Sequence, residues 1–501
     1  MQVEQQQRAI ATWQAFLNTP LDTLLAEHAK ADPATAVLEL FHSTAATVPA
    51  YQRFLNEHGI TSATIQTYED FQKLPLITKE NYLRCYSLPE LCRNGELPTC
   101  DMIAASSGST GQPTFWPRSL RDELAIATRF EQIFHDSFQA DTQPTLAVIC
   151  FSLGTWVGGM YTANCCRHLA SKGYPLTVIT PGNNKTEILR VVQELGSLFA
   201  QVVLLGYPPF LKDVIDSGMA QGIEWQRYRL KLVMAGEVFS EEWRNLVGKR
   251  AGATSSCYDS ASLYGTADAG VLGNETPLSI CIRRFLANHP DVAHTLFGES
   301  RLPTLVQYDP LSRFFETLEG TLLFSGNNGI PLLRYHIADQ GGLISYPAML
   351  QFLKTRGFDP LAALKAEGER GIHPLPFVYV FGRSHFTVSY FGANIYPENV
   401  TVGLEQPEIS AWVTGKFVLQ VQSDADQNRF LSVVVELAPG VSADQEKQQA
   451  IASSILYYLQ RLNSEFANYV PAAYQMPQVR LALTGDPEYF PVGVKHRYTR
   501  R

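Results

Sequence analysis

LAVICF (146–151), GMYTANCCRHLASKG (159–173), PLTVIT (175–180), TEILRVVQELGSLF (186–199), QVVLLGYP (201–208), PFLKDVIDSGMAQG (209–222) and YRLKLVMAGE (228–237) alternate brief apolar runs with longer segments of helical spacing. The apolar runs are too short for helices and lack the alternation of a half-exposed strand, so they read as strands buried on both faces. Strands alternating with helices make a parallel sheet covered on both sides. Ligands of such sheets bind in the loops beyond the strands' carboxyl ends, which points to 151–159, 206–210 and the segment from Gly236.

Outward from this block the texture changes. EGTLLFSG (319–326) and IPLLRYHIADQGGLISY (330–346) read as antiparallel strands joined by turns. KFVLQVQSD and RFLSVVVELA, joined by DADQN (424–428) and followed by the helix EKQQAIASSILYYLQRLNSEF (446–466), make a small α+β unit. Upstream, residues 5–30 and 36–58 read as two helices, and Thr78 in LPLITKENYLR (74–84) as a helix N-cap. The expectation is an α/β protein: a large domain over 1–382, with parallel-rich sheets covered by helices and an antiparallel subdomain, then a small mobile α+β domain over 383–501.

The 501 residues exceed one ordinary core. A content of 45% hydrophobic and 18% charged residues is that of a folded protein, and the net charge of −8 argues against a nucleic-acid partner. The most apolar stretch, 145–161, is interrupted by Gly154, Gly158 and Gly159, so no membrane span is expected. The start lacks the pattern of a signal peptide, and the eight cysteines show no CxxC pair. Reduced thiols in a cytoplasmic protein are therefore expected. A metal between Cys257 and Cys281 lacks the usual ligand spacing.

SSGSTGQPT (106–114) is the sharpest local signal. Glycines let a backbone approach an anion, and free N–H groups with Ser and Thr hydroxyls add donors, which suits the terminal phosphates of ATP. On composition alone a flexible surface loop is the preferred explanation. The run resembles the phosphate loop of adenylate-forming enzymes: acyl-CoA synthetases, adenylation domains and luciferases. Thr114 at its last position, where most have Lys or Arg, and the upstream LPLITKENYLR resemble the phenylacetate-CoA ligase branch. Further motifs appear in order over residues 70–501. MAGEVFSEEW (234–243) resembles the segment lying against adenine, and SLYGTADAG (262–270) the Tyr-Gly-x-Ser/Thr-Glu motif, with Ala267 and Asp268 as departures. IPLLRYHIADQGGLI (330–344) resembles Arg-Tyr-x-x-Gly-Asp, with Ala338 for Gly. FGRSHFTVSYFGANIYPENV (381–400) resembles the domain hinge, with Ser384 and His385 where an acidic pair is usual. YFPVGVKHRYTRR (489–501) resembles the C-terminal lysine segment.

The resemblance implies ATP, Mg²⁺ and coenzyme A as ligands. Ser106, Ser107, Gly108, Ser109, Thr110 and Gly111 would cradle phosphates. Gly236, Glu237, Tyr264, Gly265 and Thr266 would border the nucleotide, Tyr264 stacking on adenine, and Ala235 would line the substrate pocket with Phe151, Trp156 and Tyr207. Asp339 would take both ribose hydroxyls, Arg383 the ribose or phosphates, and Asp268 the magnesium. Lys495, with Arg497 as runner-up, would bond the reacting carboxylate and the α-phosphate. The expected reaction activates a carboxylic acid as an acyl-adenylate and passes the acyl group to a thiol. Phe151, Trp156 and Tyr207 suggest an aromatic acid, though the same rings fit plain core. An amine or carrier-protein acceptor stays open, as does a nucleotide-binding relative without turnover. The branch is often dimeric, which leaves a homodimer open.

Overall fold

The computed structural model describes residues 2–97, 100–106, 114–299, 302–368, 370–383, 387–491 and 498–500. Its strands run in chain order as β1 (Met102–Ser106), β2 (Thr114–Arg118), β3 (Thr145–Ile149), β4 (Leu176–Ile179), β5 (Gln201–Gly206), β6 (Lys231–Ala235), β7 (Ser260–Thr266), β8 (Gly270–Asn274), β9 (Thr304–Gln307), β10 (Phe314–Leu318), β11 (Thr321–Gly326), β12 (Leu332–Ile344), β13 (Phe377–Arg383), β14 (Val388–Tyr390), β15 (Ala393–Ile395), β16 (Val413–Ser423), β17 (Arg429–Leu437) and β18 (Gln478–Ala482). β3 to β7 form the parallel half of one 11-stranded sheet, ordered β10-β11-β12-β13-β9-β8-β7-β6-β5-β3-β4. Every side chain of β3 and β5 is buried. Helices such as Val157–Ser171, Lys185–Leu195 and Pro208–Ala220 connect these strands, as the apolar runs require.

The parallel and antiparallel halves are one continuous sheet. The chain reverses between β7 and β8, and from there every pairing to β10 is antiparallel. The 330–346 segment also differs from the turn-joined strands expected. β12 is a single strand of 13 residues. It absorbs its bends within the ladder, by a register shift at Gln340/Gly341 and left-handed φ at Arg334 (48°) and Ala338 (65°).

The two expected N-terminal helices are four: Gln2–Asn18, Leu21–His28, Pro33–Thr47 and Pro49–Glu57. Proline explains the breaks. Pro33 and Pro49 open new helices, and Pro20 is the N-cap of another; the ring is tolerated in a first turn and disruptive inside a helix. Thr78 does cap, accepting from the Asn81 N–H, but it opens only one wide turn, Lys79–Leu83. Residues 387–500 carry the β14–β15 hairpin and a three-stranded sheet, β16-β17-β18, packed by the helix Gln445–Leu462. Their apolar core is continuous with that around β3, β5 and β6.

The helix Leu21–His28 is fastened to the body by His28 Nδ1, 2.9 Å from Asp309 Oδ2, with Arg129 Nη2 at 3.9 Å from the same oxygen. Burial pushes the Asp309 carboxyl up, but the His28 hydrogen bond and the Arg129 charge outweigh it and hold it at about 2. A carboxyl lowered on folding stabilises the fold above its ordinary range and loses that contribution as pH falls through the folded value. Asp309 should therefore contribute about 2 kcal/mol at neutral pH, lost between about pH 4 and pH 2. Urea melts across that window should show a flatter acid limb in Asp309→Asn than in wild type; identical limbs would contradict the assignment.

Candidate functional site

A cavity of about 520 Å³ opens where β6 and β7 end and the loops after β3 and β5 begin. Its wall includes Ser106, Phe151, Tyr207, Ala235, Gly236, Glu237, Tyr264, Gly265, Thr266, Asp268 and Asp339. Loops beyond parallel strands are where this sheet type binds ligands. Trp156 does not line the cavity; it packs edge-on against Tyr469, 5.0 Å between ring centroids, and Tyr469 does line it. Ser107, Gly108, Ser109, Thr110, Gly111, Ser384, His385, Lys495 and Arg497 lie outside the described residues. Arg383 faces Asp339 across the β12–β13 ladder, and its side chain lies outside the description.

Asp268 is 3% exposed. Its Oδ2 accepts from Tyr335 Oη at 2.5 Å, and Lys79 Nζ lies 3.3 Å from Oδ1. The backbone beneath is pinned too: Arg118 Nη2 donates to the carbonyls of Ala267 (2.6 Å) and Asp268 (3.2 Å). Lys79 reaches Asp268 because Ile77 pairs with β12. The Ile77 N–H donates to Arg334 O at 3.2 Å and the His336 N–H to Ile77 O at 2.9 Å. The ammonium also sits 5.7 Å from the Trp116 ring centroid, and Trp116 Nε1 donates to Ser106 Oγ at 2.9 Å. The carboxylate, the cation and the strand leading to the Ser/Gly run thus share one corner.

Across the cavity, Tyr264 Oη donates to Asp339 Oδ2 at 2.7 Å. Asp339 follows Ala338, whose φ of 65° lies in the left-handed region. Glycine takes that region freely, while an alanine is strained there.

The third corner joins the large region to residues 387–500. Glu237 Oε1 accepts from the Gly392 N–H at 2.7 Å, and Arg429 Nη1 pairs with Oε2. Burial pushes the Glu237 carboxyl up, and the Arg429 charge and the Gly392 N–H only partly offset it. Gly392 must lack a side chain, since a Cβ there would meet Tyr207 Cε1 at 2.1 Å. Phe151 and Tyr207 meet edge to face at 4.9 Å, and Tyr207 and Tyr469 at 5.4 Å, giving the cavity an aromatic wall.

Mg²⁺ usually takes one or two carboxylates, substrate phosphates and water. Asp268 offers the carboxylate, and its Oδ1 is the oxygen paired with Lys79. The donor set therefore fits a cation and a phosphate together, with Lys79 free to turn from carboxylate to phosphate. Sequence reading passed over Lys79, Arg118, Tyr335 and Arg429. Lys79 and Tyr335 stood inside quoted motifs, but their charge and hydroxyl find Asp268 only through the Ile77–β12 pairing.

No family model matches the chain. In sequence it is 23% identical over 304 residues to a phenylacetate-coenzyme A ligase of Thermus thermophilus, a match taking in 58% of this chain and only 60% of that protein's length. In structure it is similar to a 2-hydroxyisobutyryl-CoA ligase in complex with 2-HIB-AMP and CoA, at a TM-score of 0.64 and 14% identity over 97% of this chain and 91% of that one. The same ligase in the postadenylation state with 2-HIB-AMP matches at 0.51 and 12% identity over 93% and 87%. At these identities the structural likeness shows the fold.

Two stability measurements check this geometry. In a double-mutant cycle, Lys79→Met and Asp268→Asn should couple by about 1–2 kcal/mol, since each alone removes the same ion pair; additive effects would mean the pair is not formed. Ala338→Gly should stabilise the protein by up to about 1 kcal/mol, strain relief exceeding the added backbone entropy. A loss of stability would contradict the left-handed conformation.

Proposed function

We propose that this chain, whose ordered motifs and fold resemble those of adenylate-forming enzymes of the phenylacetate-CoA ligase type, activates a carboxylic acid with ATP, releases pyrophosphate and transfers the acyl group to a thiol, with coenzyme A the default acceptor. One observation carries this reading. Ser106, Lys79, Asp268, Tyr264 and Asp339 come from distant parts of the chain and face the same cavity.

A carboxylate oxygen attacks the α-phosphorus. The bond from that phosphorus to the β-bridging oxygen breaks, and its electrons leave with pyrophosphate. Anions must approach one another, so positive charge has to wait where negative charge accumulates. Lys79 would meet the phosphates beside Ser106. Mg²⁺, held by Asp268 and phosphate oxygens, would neutralise charge on the leaving group. Adenine would lie along Gly236 and Glu237 against Tyr264. Asp339 has two oxygens for two ribose hydroxyls, with Tyr264 Oη turning away from one of them. Lys495 is proposed for the α-phosphate and Arg383 for the ribose side. Fixing the nucleoside turns binding into orientation.

Phe151, Tyr207 and Ala235 would hold the acid, and the aromatic wall supports an aryl or arylalkyl acid. In the second half-reaction the thiolate attacks the carbonyl carbon and AMP leaves. The proposed division at 382/383, where β13 ends, would let residues 383–501 turn between the two steps. The Glu237–Arg429 pair and the Gly392 contact would then form in one arrangement only.

Exchange of labelled pyrophosphate into ATP, screened over aromatic and aliphatic acids, tests the first step. At least one acid should support exchange, and Lys495→Ala should lower it by about 10²-fold or more with an unchanged circular dichroism spectrum. ATP binding without exchange for any acid would overturn the reading in favour of a nucleotide-binding module. Product analysis with coenzyme A and with amines then fixes the acceptor.

A further inference from the structure

Away from the cavity, Asp22, His135, Asp136 and His373 gather from three separate segments. Asp22 is in the first turn of the helix Leu21–His28, His135 and Asp136 are in the wide turn Ile133–Ser137, and His373 is in the loop before β13. Asp136 sits between two imidazoles, with His135 Nδ1 2.8 Å from its Oδ1 and His373 Nε2 3.0 Å from its Oδ2. Asp22 Oδ1 lies 3.9 Å from His373 Nε2. One ligand atom from each of Asp22, His135 and Asp136 lies within 4.8 Å of the others.

We propose that Asp22, His135 and Asp136 form a binding site for a divalent transition-metal ion of the zinc type, with His373 orienting Asp136 from behind, and that the ion clamps the N-terminal helix Leu21–His28 to the body of the protein. Zinc is held tetrahedrally at about 2.0–2.2 Å by imidazole nitrogens and carboxylate oxygens. Neighbouring ligand atoms in such a tetrahedron are about 3.3–3.6 Å apart. His135 Nδ1 and Asp136 Oδ1 are 2.8 Å apart and one oxygen of Asp22 joins them within 4.8 Å, which gives three protein ligands and leaves the fourth position to water. An imidazole beside two carboxylates suits zinc, copper or nickel, whereas magnesium and calcium prefer oxygen alone.

The surroundings are built for a fixed ligand set. Asp136 is buried and Gly371, two residues before His373, presses against it: a Cβ at Gly371 would meet Asp136 Cβ at 2.2 Å. Gln307 Nε2 donates to the His373 and Leu375 carbonyls at 3.1 and 2.7 Å, holding the histidine's loop, as outer partners orient metal ligands elsewhere. The Asp22 side chain is 72% exposed, which gives an ion a way in. The far end of the same helix is tied by His28 to Asp309, so a metal at Asp22 would fasten both ends.

The test uses the full-length protein freed of metal by chelation, titrated with Zn²⁺ by calorimetry and with Co²⁺ by visible absorption. The proposal expects one equivalent of either ion, a tetrahedral Co²⁺ spectrum, and a rise in melting temperature accompanied by slower hydrogen exchange over 21–28. His135→Ala should weaken binding at least tenfold. Should that variant fail to fold, Asp22→Asn serves instead, since it alters an exposed side chain and should also weaken binding. No bound ion, or one equivalent that neither substitution weakens, would overturn the proposal and leave a hydrogen-bonded cluster only.

Discussion

A carboxylate buried to 3% exposure must find its partners inside the protein, and Asp268 finds them across most of the large region. Lys79, from the turn after the N-terminal helices, and Tyr335, from β12, reach the carboxylate, while Arg118 from β2 and Asn328 from the loop before β12 donate to the backbone carbonyl of the same residue. None is adjacent in sequence to Asp268. The continuity of the 11-stranded sheet answers this need. Side chains at the end of β7 meet Tyr335 and Asp339 of β12 although β8, β9 and β13 stand between the two strands in the sheet order, and the reversal between β7 and β8 begins the antiparallel half. Charge that would repel ATP in isolation becomes, with Lys79 opposite, a corner that can accept a cation and a phosphate together.

The opposite side of the cavity obeys the same logic with a different purpose. Glu237 is buried and meets residues 387–500 through Gly392 and Arg429. Burial pushes its carboxyl up, partly offset by the Arg429 charge. Tyr207 is the pivot of the packing, with Phe151 on one side, Tyr469 on another and the Gly392 backbone close by. The aromatic wall of the cavity and the inter-region contact are therefore made by the same residues. Further polar ties at this boundary, such as Lys212 Nζ to Asn428 Oδ1 at 2.6 Å and Tyr474 Oη to Asp213 Oδ1 at 3.0 Å, lie at its periphery.

Much of this was legible in the chain. The unbroken apolar runs at 146–149 and 201–206 leave no exposed face, and they are strands buried on both sides. The motif 262–270, which holds Asp268, and the segment 330–344, which holds Asp339, could be singled out by type and order, and both carboxylates line the cavity. What could not be read is long-range pairing. Nothing local announces that 330–344 runs as one strand, because its irregularities at Arg334 and Ala338 look like turn signals and are accommodated as left-handed residues within the ladder. The four-way split of the N-terminal helices was written in Pro20, Pro33 and Pro49, and helical periodicity masked it. Lys79 was invisible for a physical reason. Its importance lies in where Ile77 pairs, more than 250 residues away in the chain, roughly the separation that also hides His373 from Asp136. Trp156 shows the converse: an aromatic beside a ligand loop belongs to the packing behind the wall.

The central claim is that one cleft, bounded by Asp268, Asp339 and Glu237, receives the nucleotide. A crystal structure of the protein with AMP bound tests it most directly. The account predicts adenine between Gly236 and Tyr264, ribose hydroxyls on Asp339 and the phosphate toward Lys79. AMP ordered anywhere else on the molecule, with this cleft holding only water, would contradict it.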